Sequence, residues 1–514
     1  MKMQLVATIM AAVLLFGVGI PASGQETHWP TDTWSTSTPE KQGIDSALLA
    51  DMLAFIQQEN LRMHSVQIIR NGYLVMDTYI YPFHREARHA LRSCTKSTVS
   101  SLIGIAIDQG YIESVDQRLL DLLPGRTFVN MDTDKGSITL KHSLTMASGL
   151  ECRDSYLYNW QGLDAMRASE DWVQFTADLP MEHEPGTHFE YCNGVSHMLS
   201  AIISQTTGMS ALEFAKVNLF APLGVSDVVW LSDPQGITIG WSRLHLRPLD
   251  MAKIGYLFLN EGIWDGEQII SAEWIAESTR PYIETGFPDE YGYQWWVDHQ
   301  GRFYFASGYG GQLIVVFPEQ NMVIVITSGD GFWSRMLLEE YIIPAAVSDE
   351  PLPENLEADA RLDVLSQQLE QDPEPTAPPT TWPDLAHSIS GQTFRLDENP
   401  LEWESFSVQF EEGSAAIEMT FTGDIKLELP IGLYNRFLFT SIDATWLGKM
   451  PVTDALGLRG SWEDDNTLII NLQALGGSED VWIELSFYDT GAFVHLEEST
   501  SRTILSLAAN LVES

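Results

Sequence analysis

Ser93 stands three residues before Lys96 in the stretch LRSCTKSTVSSLIGIAID, where a polar segment gives way to an apolar one. A serine hydroxyl becomes a nucleophile only when a base takes its proton, and a lysine amine can be that base only while uncharged. Val99, Leu102, Ile103, Ala106 and Ile107 predict a buried helix ending at Gly110, with Ser93 at its N-terminal edge and Lys96 one turn on, on the same side. There the free N–H groups of the helix start can hold an oxyanion, and both the helix dipole and burial favour a neutral lysine. The competing reading is a helix cap beside a solvated lysine. Ordinary residue frequencies give roughly one to three Ser-x-x-Lys matches by chance in a chain of this length, so the spacing needs partners elsewhere.

Two later segments can supply them. YCNGVSHMLSAII places Tyr191 and Asn193 two residues apart, just before an amphipathic stretch, and FASGYGGQLIVVF runs a strand into Ser307, Gly308, Tyr309 and Gly310. Small residues at a strand end let backbone approach a ligand closely.

These boxes occur in order with ITLKHSLTMASGL, LFAPLGV and LDMAKIGYLFLNEGIWDGEQIIS. On them, the region from about Thr38 to Val347 resembles the serine β-lactamase and penicillin-binding-protein-like superfamily. Its nearest look is that of the class C β-lactamase-related serine hydrolases, a group that includes esterases, D-aminopeptidases and 6-aminohexanoate-dimer hydrolases. The resemblance implies Ser93 as acylated nucleophile and Lys96 as its base. It makes Tyr191 the proton shuttle, its phenol pKa lowered by the lysine charge, and makes Asn193 a substrate-positioning residue. The N–H groups of Ser93 and Tyr309 would form the oxyanion hole, beside Ser307 and Gly308.

Where the β-lactamases carry Lys-Thr-Gly, this chain reads Ala306-Ser307-Gly308. Loss of that cation points away from efficient penicillin hydrolysis. The implied activity is two-step cleavage of a small-molecule ester or amide through an acyl-enzyme, with no cofactor and no metal. The alternatives are a true β-lactamase or D-aminopeptidase, and a penicillin-binding-like sensor or scaffold that does not turn over.

The elements that must position these groups are legible in outline. Leu48, Leu49, Met52, Leu53, Phe55 and Ile56 repeat at helical spacing, and HSVQIIR, Asn71-Gly72 and YLVMDTY predict a β-hairpin. The middle, from Ser93 to about Thr279, reads as mostly helical, and YGYQWWV, RFYFA, GGQLIVVF and MVIVITS read as strands before a helix FWSRMLLEEYIIPAAV. Strands at both ends of a helical middle predict an α+β domain whose antiparallel sheet is built from both termini and backed by helices. Residues 349–385 hold many acids and seven prolines, the composition of a linker, here with one short helix near Leu356 to Leu369. Residues 386–514 alternate apolar and polar positions between turns, predicting an all-β barrel or sandwich of about 125 residues.

Residues 1–24 read as a secretory signal peptide, with Lys2, an apolar run from Leu5 to Ile20 and small residues before a cleavage point after Gly24; the hydrolase domain then spans 25–348. The expected location is secreted or periplasmic, without stable membrane insertion after cleavage, and the alternative is an uncleaved N-terminal anchor. With 71 acidic against 28 basic residues, the net charge of -43 argues against nucleic acid as a partner and predicts a highly solvated surface, with attraction of cationic substrates as the alternative.

Three cysteines, Cys94, Cys152 and Cys192, leave at least one thiol unpaired in an exported chain, and a Cys152–Cys192 pair is possible. Cys94 has no histidine placed to activate it. NMDTDKGS around Asp132 departs from a calcium loop, with Gly136 one place late and Lys141 where the acidic ligand should be, and reads as a turn. His188, His197 and His245 lack metal-ligand spacing. Of Trp295 and Trp296, one should be core and the other is free to line a groove.

Overall fold

Asn71 and Gly72 both adopt positive φ, 52° and 80°, the backbone that a two-residue hairpin turn needs to match strand twist. The computed structural model describes residues 29–512 apart from 156–157, 373–381, 412, 424, 434 and 442–454; the expected signal peptide therefore lies outside the described residues. The hairpin belongs to a nine-stranded sheet. Its strands are β1 (Ser35–Thr36), β2 (Met63–Arg70), β3 (Tyr73–Tyr79), β4 (Ile283–Glu284), β5 (Glu290–Tyr291), β6 (Trp296–Val297), β7 (Tyr304–Gly308), β8 (Gln312–Phe317) and β9 (Met322–Ser328), in the spatial order β1-β3-β2-β9-β8-β7-β6-β5-β4. The two ends of this region meet where β2 pairs antiparallel with β9, Ile68 opposite Ile324.

Every residue of β2 and β9 is buried, so both faces of the sheet are covered. Alternate side chains divide between two cores. Val66, Ile68, Ile324 and Ile326 pack with Leu49, Leu53 and Ile56 of α1 (Ser46–Gln58), while Ile69, Val323 and Val325 join Leu102 of α2 (Cys94–Asp108), Met198 of α3 (Asn193–Thr207) and Ile254 of α4 (Pro248–Leu259). At roughly 1.5–3 kcal/mol for each fully buried large aliphatic side chain, these two layers hold the ends of β7 and α2 in fixed relation. That is the relation the site depends on.

The acidic segment after this body differs from a free linker. Its helix α5 (Leu356–Glu370) lies on α1 and β3: Leu362 is buried in the α1 core, and Ser366 Oγ meets Thr78 Oγ1 at 2.8 Å. Leu362, Leu365 and Leu369 recur at helical spacing on the side that meets that core, and the acidic residues face out.

From Thr393 to Leu511 ten antiparallel strands form one sheet, and a bridge between Gly432 and Arg459 brings its edges together into a nearly closed barrel. The barrel has its own core, with Phe394, Ile417, Leu429, Ile470, Leu485 and Val494 among it. Two of its turns, 476–479 and 499–502, reach back to the body built on the nine-stranded sheet. Among the described residues no helix is long and apolar enough to cross a membrane.

Candidate functional site

Arg92, at φ 51°, turns the chain from the short strand His89–Ala90 into α2, and Ser93 stands at the helix start. The Ser93 side chain makes no capping bond, so its hydroxyl is left for other partners. Lys96, almost wholly buried, brings Nζ to 3.0 Å from Ser93 Oγ, 2.7 Å from Asn193 Oδ1 and 3.1 Å from the Trp241 carbonyl. A neutral amine has two N–H donors and one lone pair. The two carbonyl oxygens use the donors, which leaves the lone pair for the serine proton. Burial pushes the Lys96 pKa well down, and the nearby Asp154 carboxylate offsets this only in part.

Tyr191 lies beside the pair, with Lys96 Nζ 4.6 Å from its ring centre. The expectation that lysine charge lowers its phenol pKa is corrected here: burial raises it, and only the hydrogen bond with Ser93 acts the other way. The reason is that the Tyr191 hydroxyl is enclosed in the site, and the cost of desolvating a phenolate outweighs what its neighbours give back. Tyr191 is thus a neutral phenol, a proton donor rather than a phenolate.

Asn193 begins α3, and the amide expected to position substrate is engaged by the protein at both ends. Its Oδ1 takes Lys96, while its Nδ2 donates to Asp154 Oδ1 at 3.0 Å. Asp154 Oδ2 also accepts the Asn193 backbone N–H at 2.7 Å, capping the helix from a distant loop. Burial raises the Asp154 pKa, and the bonds from Asn193 and the Lys96 charge oppose the rise. No motif in the sequence announces Asp154. Cys152 and Cys192, one on each of the two segments, form a disulfide, which pins that loop to the start of α3.

The third box arrives on β7. A Cβ on Gly308 would lie 2.4 Å from the Leu91 carbonyl and 3.0 Å from Arg92 Cβ, so only glycine lets the strand end sit against the residues leading into Ser93. Ser307 and Tyr309 flank that contact. The backbone N–H groups of Ser93 and Tyr309 have no protein acceptor among the described residues, as donors awaiting an oxyanion would. The Tyr309 ring projects outward, edge-on to Trp160 at 6.4 Å, and its hydroxyl donates to the Thr500 carbonyl of the barrel at 2.9 Å. The other barrel turn touches the site's rim as well: Arg92 donates to Ser478 Oγ at 2.9 Å and pairs with Glu479.

The remaining candidates fall outside this constellation. Cys94 is fully buried with Sγ against the Gln312 carbonyl, and burial raises its thiol pKa. Asp132 caps a short helix through the Lys135 N–H, and His197 pairs with Asp233 at 2.9 Å. His188 lies against His183, and His245 is buried in the short strand beside His89–Ala90. Trp295 is core, and Trp296 packs among Phe189, Tyr291 and Phe305. Asp289, Asp298 and His299 lie close enough to share an ion, but Arg302 already bonds both oxygens of Asp298.

A family model described as Beta-lactamase matches residues 49–344. The chain is 23% identical over 314 residues to the 6-aminohexanoate-dimer hydrolase of Paenarthrobacter ureafaciens, covering 56% of this chain and 79% of that one. It is 24% identical over 206 residues to penicillin-binding protein 4 of Amycolatopsis lactamdurans, covering 38% of this chain and 50% of that one. Among solved structures, a candidate 6-aminohexanoate-dimer hydrolase from Bacillus anthracis matches with a TM-score of 0.52 at 20% identity, over 64% of this chain and 89% of that one; this likeness is one of fold.

Proposed function

The chain belongs to the beta-lactamase family, and from that premise we propose that it is an exported serine hydrolase that cleaves a small-molecule ester or amide in two steps through an acyl-enzyme. The observation that carries the reading is Lys96 Nζ, 3.0 Å from Ser93 Oγ with its other two positions facing carbonyl oxygens.

Lys96 takes the Ser93 proton as Oγ attacks the carbonyl carbon, and the oxyanion is received by the N–H groups of Ser93 and Tyr309. As the tetrahedral species collapses, the Tyr191 hydroxyl protonates the leaving alcohol or amine, and the proton that Lys96 took from Ser93 restores the phenol. Water then attacks the Ser93 ester with the same groups in reverse, and Oγ leaves protonated. Ala306 in place of a third-box lysine supports an esterase or amidase over a penicillin hydrolase. Export is supported by the residue pattern of 1–24 and by the disulfide, a bond that persists in oxidising compartments.

The test is covalent labelling. A fluorophosphonate should modify Ser93, and Ser93→Ala should abolish both labelling and p-nitrophenyl acetate turnover; labelling that survives the substitution sinks the assignment. A burst without steady-state turnover would instead favour a non-turnover sensor.

A further inference from the structure

Two arginines sit side by side at the nucleophile, and only one of them is neutralised. The strand His89–Ala90 pairs antiparallel with Leu244–Leu246, Ala90 opposite His245, and the Leu91 N–H donates to the Leu244 carbonyl at 2.9 Å. Just beyond the ends of these paired strands stand Arg92 and Arg243, close enough for the charge of Arg243 to act on Arg92. Arg92 immediately precedes Ser93, and Arg243 lies two residues after Trp241, whose carbonyl holds Lys96. Arg243 is thereby tied to the catalytic pair through both strands.

Both arginines occupy left-handed backbone, φ 51° and 70°, a conformation that costs an ordinary side chain of order 1 kcal/mol and is kept where surrounding structure enforces it. Arg92 is matched by Glu479 of the barrel. Arg243 has no hydrogen bond or ion pair from its side chain among the described residues. Every other buried or half-buried arginine there has one. In a chain with 71 acidic side chains, a lone, partly buried cation beside the nucleophile is the exception. Burial and the charge of Arg167 both disfavour it as it stands.

We propose that Arg243 is a carboxylate-binding residue of the active site, and that the preferred substrate is an ester or amide carrying a carboxylate close to the scissile carbonyl. This rests on the Ser93 hydrolase reading. The planar guanidinium meets a carboxylate through two parallel N–H bonds, and an incoming anion supplies the partner the fold withholds. It also answers the missing lysine of the third box: Ala306 leaves β7 without a cation, and the strand facing Arg92 provides one. Glu479 removes Arg92 from the competition, so the barrel helps to direct the anion to Arg243. The overall negative charge is not an obstacle at this range, because charges beyond about 8–10 Å are screened at physiological salt.

The test compares kcat/KM for p-nitrophenyl acetate, the p-nitrophenyl monoester of succinic acid, with its carboxylate on the acyl side, and 4-acetoxybenzoate, with its carboxylate on the leaving group. One of the two anionic esters should be preferred. In Arg243→Gly, which suits the left-handed backbone, its advantage over p-nitrophenyl acetate should fall at least tenfold, mainly through KM. Arg243→Lys should keep part of the advantage, and guanidinium ion added to the glycine variant should restore some of it. An unchanged ratio in Arg243→Gly overturns the proposal. Calorimetric binding of succinate and 4-hydroxybenzoate to Ser93→Ala protein, with and without Arg243→Gly, decides the matter apart from turnover. At least a tenfold loss for one of them supports it, and equal binding overturns it. Absence of p-nitrophenyl acetate turnover in the unsubstituted protein would count against the hydrolase reading alone.

Discussion

The Tyr309 hydroxyl donates to the Thr500 carbonyl at 2.9 Å across 191 residues of sequence. The residue whose N–H we assign to the oxyanion hole is therefore held from outside its own domain, by a barrel turn that Arg62 also grips through Thr500 Oγ1 at 3.1 Å. Tyr309→Phe removes the tether and keeps the N–H. Since one such bond contributes about 0.5–1.5 kcal/mol, kcat for p-nitrophenyl acetate should fall by no more than roughly tenfold.

Gly308→Ala should be far worse. The added methyl would meet the Leu91 carbonyl at 2.4 Å, pushing β7 and the Tyr309 N–H away from Ser93. Losing one oxyanion donor costs about 10²–10³ in kcat. Steady-state kinetics beside circular dichroism would separate this from unfolding; a fully active, folded alanine variant would remove Tyr309 from the oxyanion hole.

Activity should rise with pH as the lysine gives up its proton, and the acidic limb should sit well below the ordinary lysine range because burial depresses Lys96. The Asp154 carboxylate raises the Lys96 pKa. Asp154→Asn should therefore move the limb to lower pH, by about one unit. The pair titrates jointly, so the pH profile of kcat/KM reports a value for both groups. A limb that stays fixed or moves upward would show that Asp154 does not act on the base.

Breaking the disulfide should loosen the same support. It closes a span of 40 residues, for which the chain-entropy scale gives about 3–4 kcal/mol. Cys152→Ser with Cys192→Ser should lower the melting temperature and reduce turnover, since Asp154 and Asn193 lie within two residues of the bridge. Reductant should reproduce both effects. The third thiol, Cys94, should resist iodoacetamide in the folded protein, being fully buried with its thiolate disfavoured.

The local features were legible in the residues: the hairpin at Asn71-Gly72, the helix following Ser93 and the alternation of the barrel strands all depend on short-range periodicity. Ser93, Lys96, Tyr191 and Gly308 converge in space as their boxes imply. The contributions of Asp154, the Trp241 carbonyl and Glu479 were not legible, because each reaches the site from a distant segment and makes its contact without a spacing rule. Tyr191 went the other way from expectation for a related reason. A neighbouring lysine is visible in sequence, whereas the burial of the phenol is a property of the packed whole. The docking of α5 on α1 was hidden by its proline-rich, acidic surroundings, although the leucines at 362, 365 and 369 carried the signal.

The sheet that joins β2 to β9 also sets an order on the making of the enzyme. A growing chain carries Ser93 and Lys96 long before Tyr309 and its supporting strands exist, and pairing so remote in sequence is slow to form. On the proposed reading, the nucleophile is therefore synthesised unarmed. Acylation by an active-site reagent would serve as a clock for folding, recording the moment at which the two ends of the domain have closed on each other.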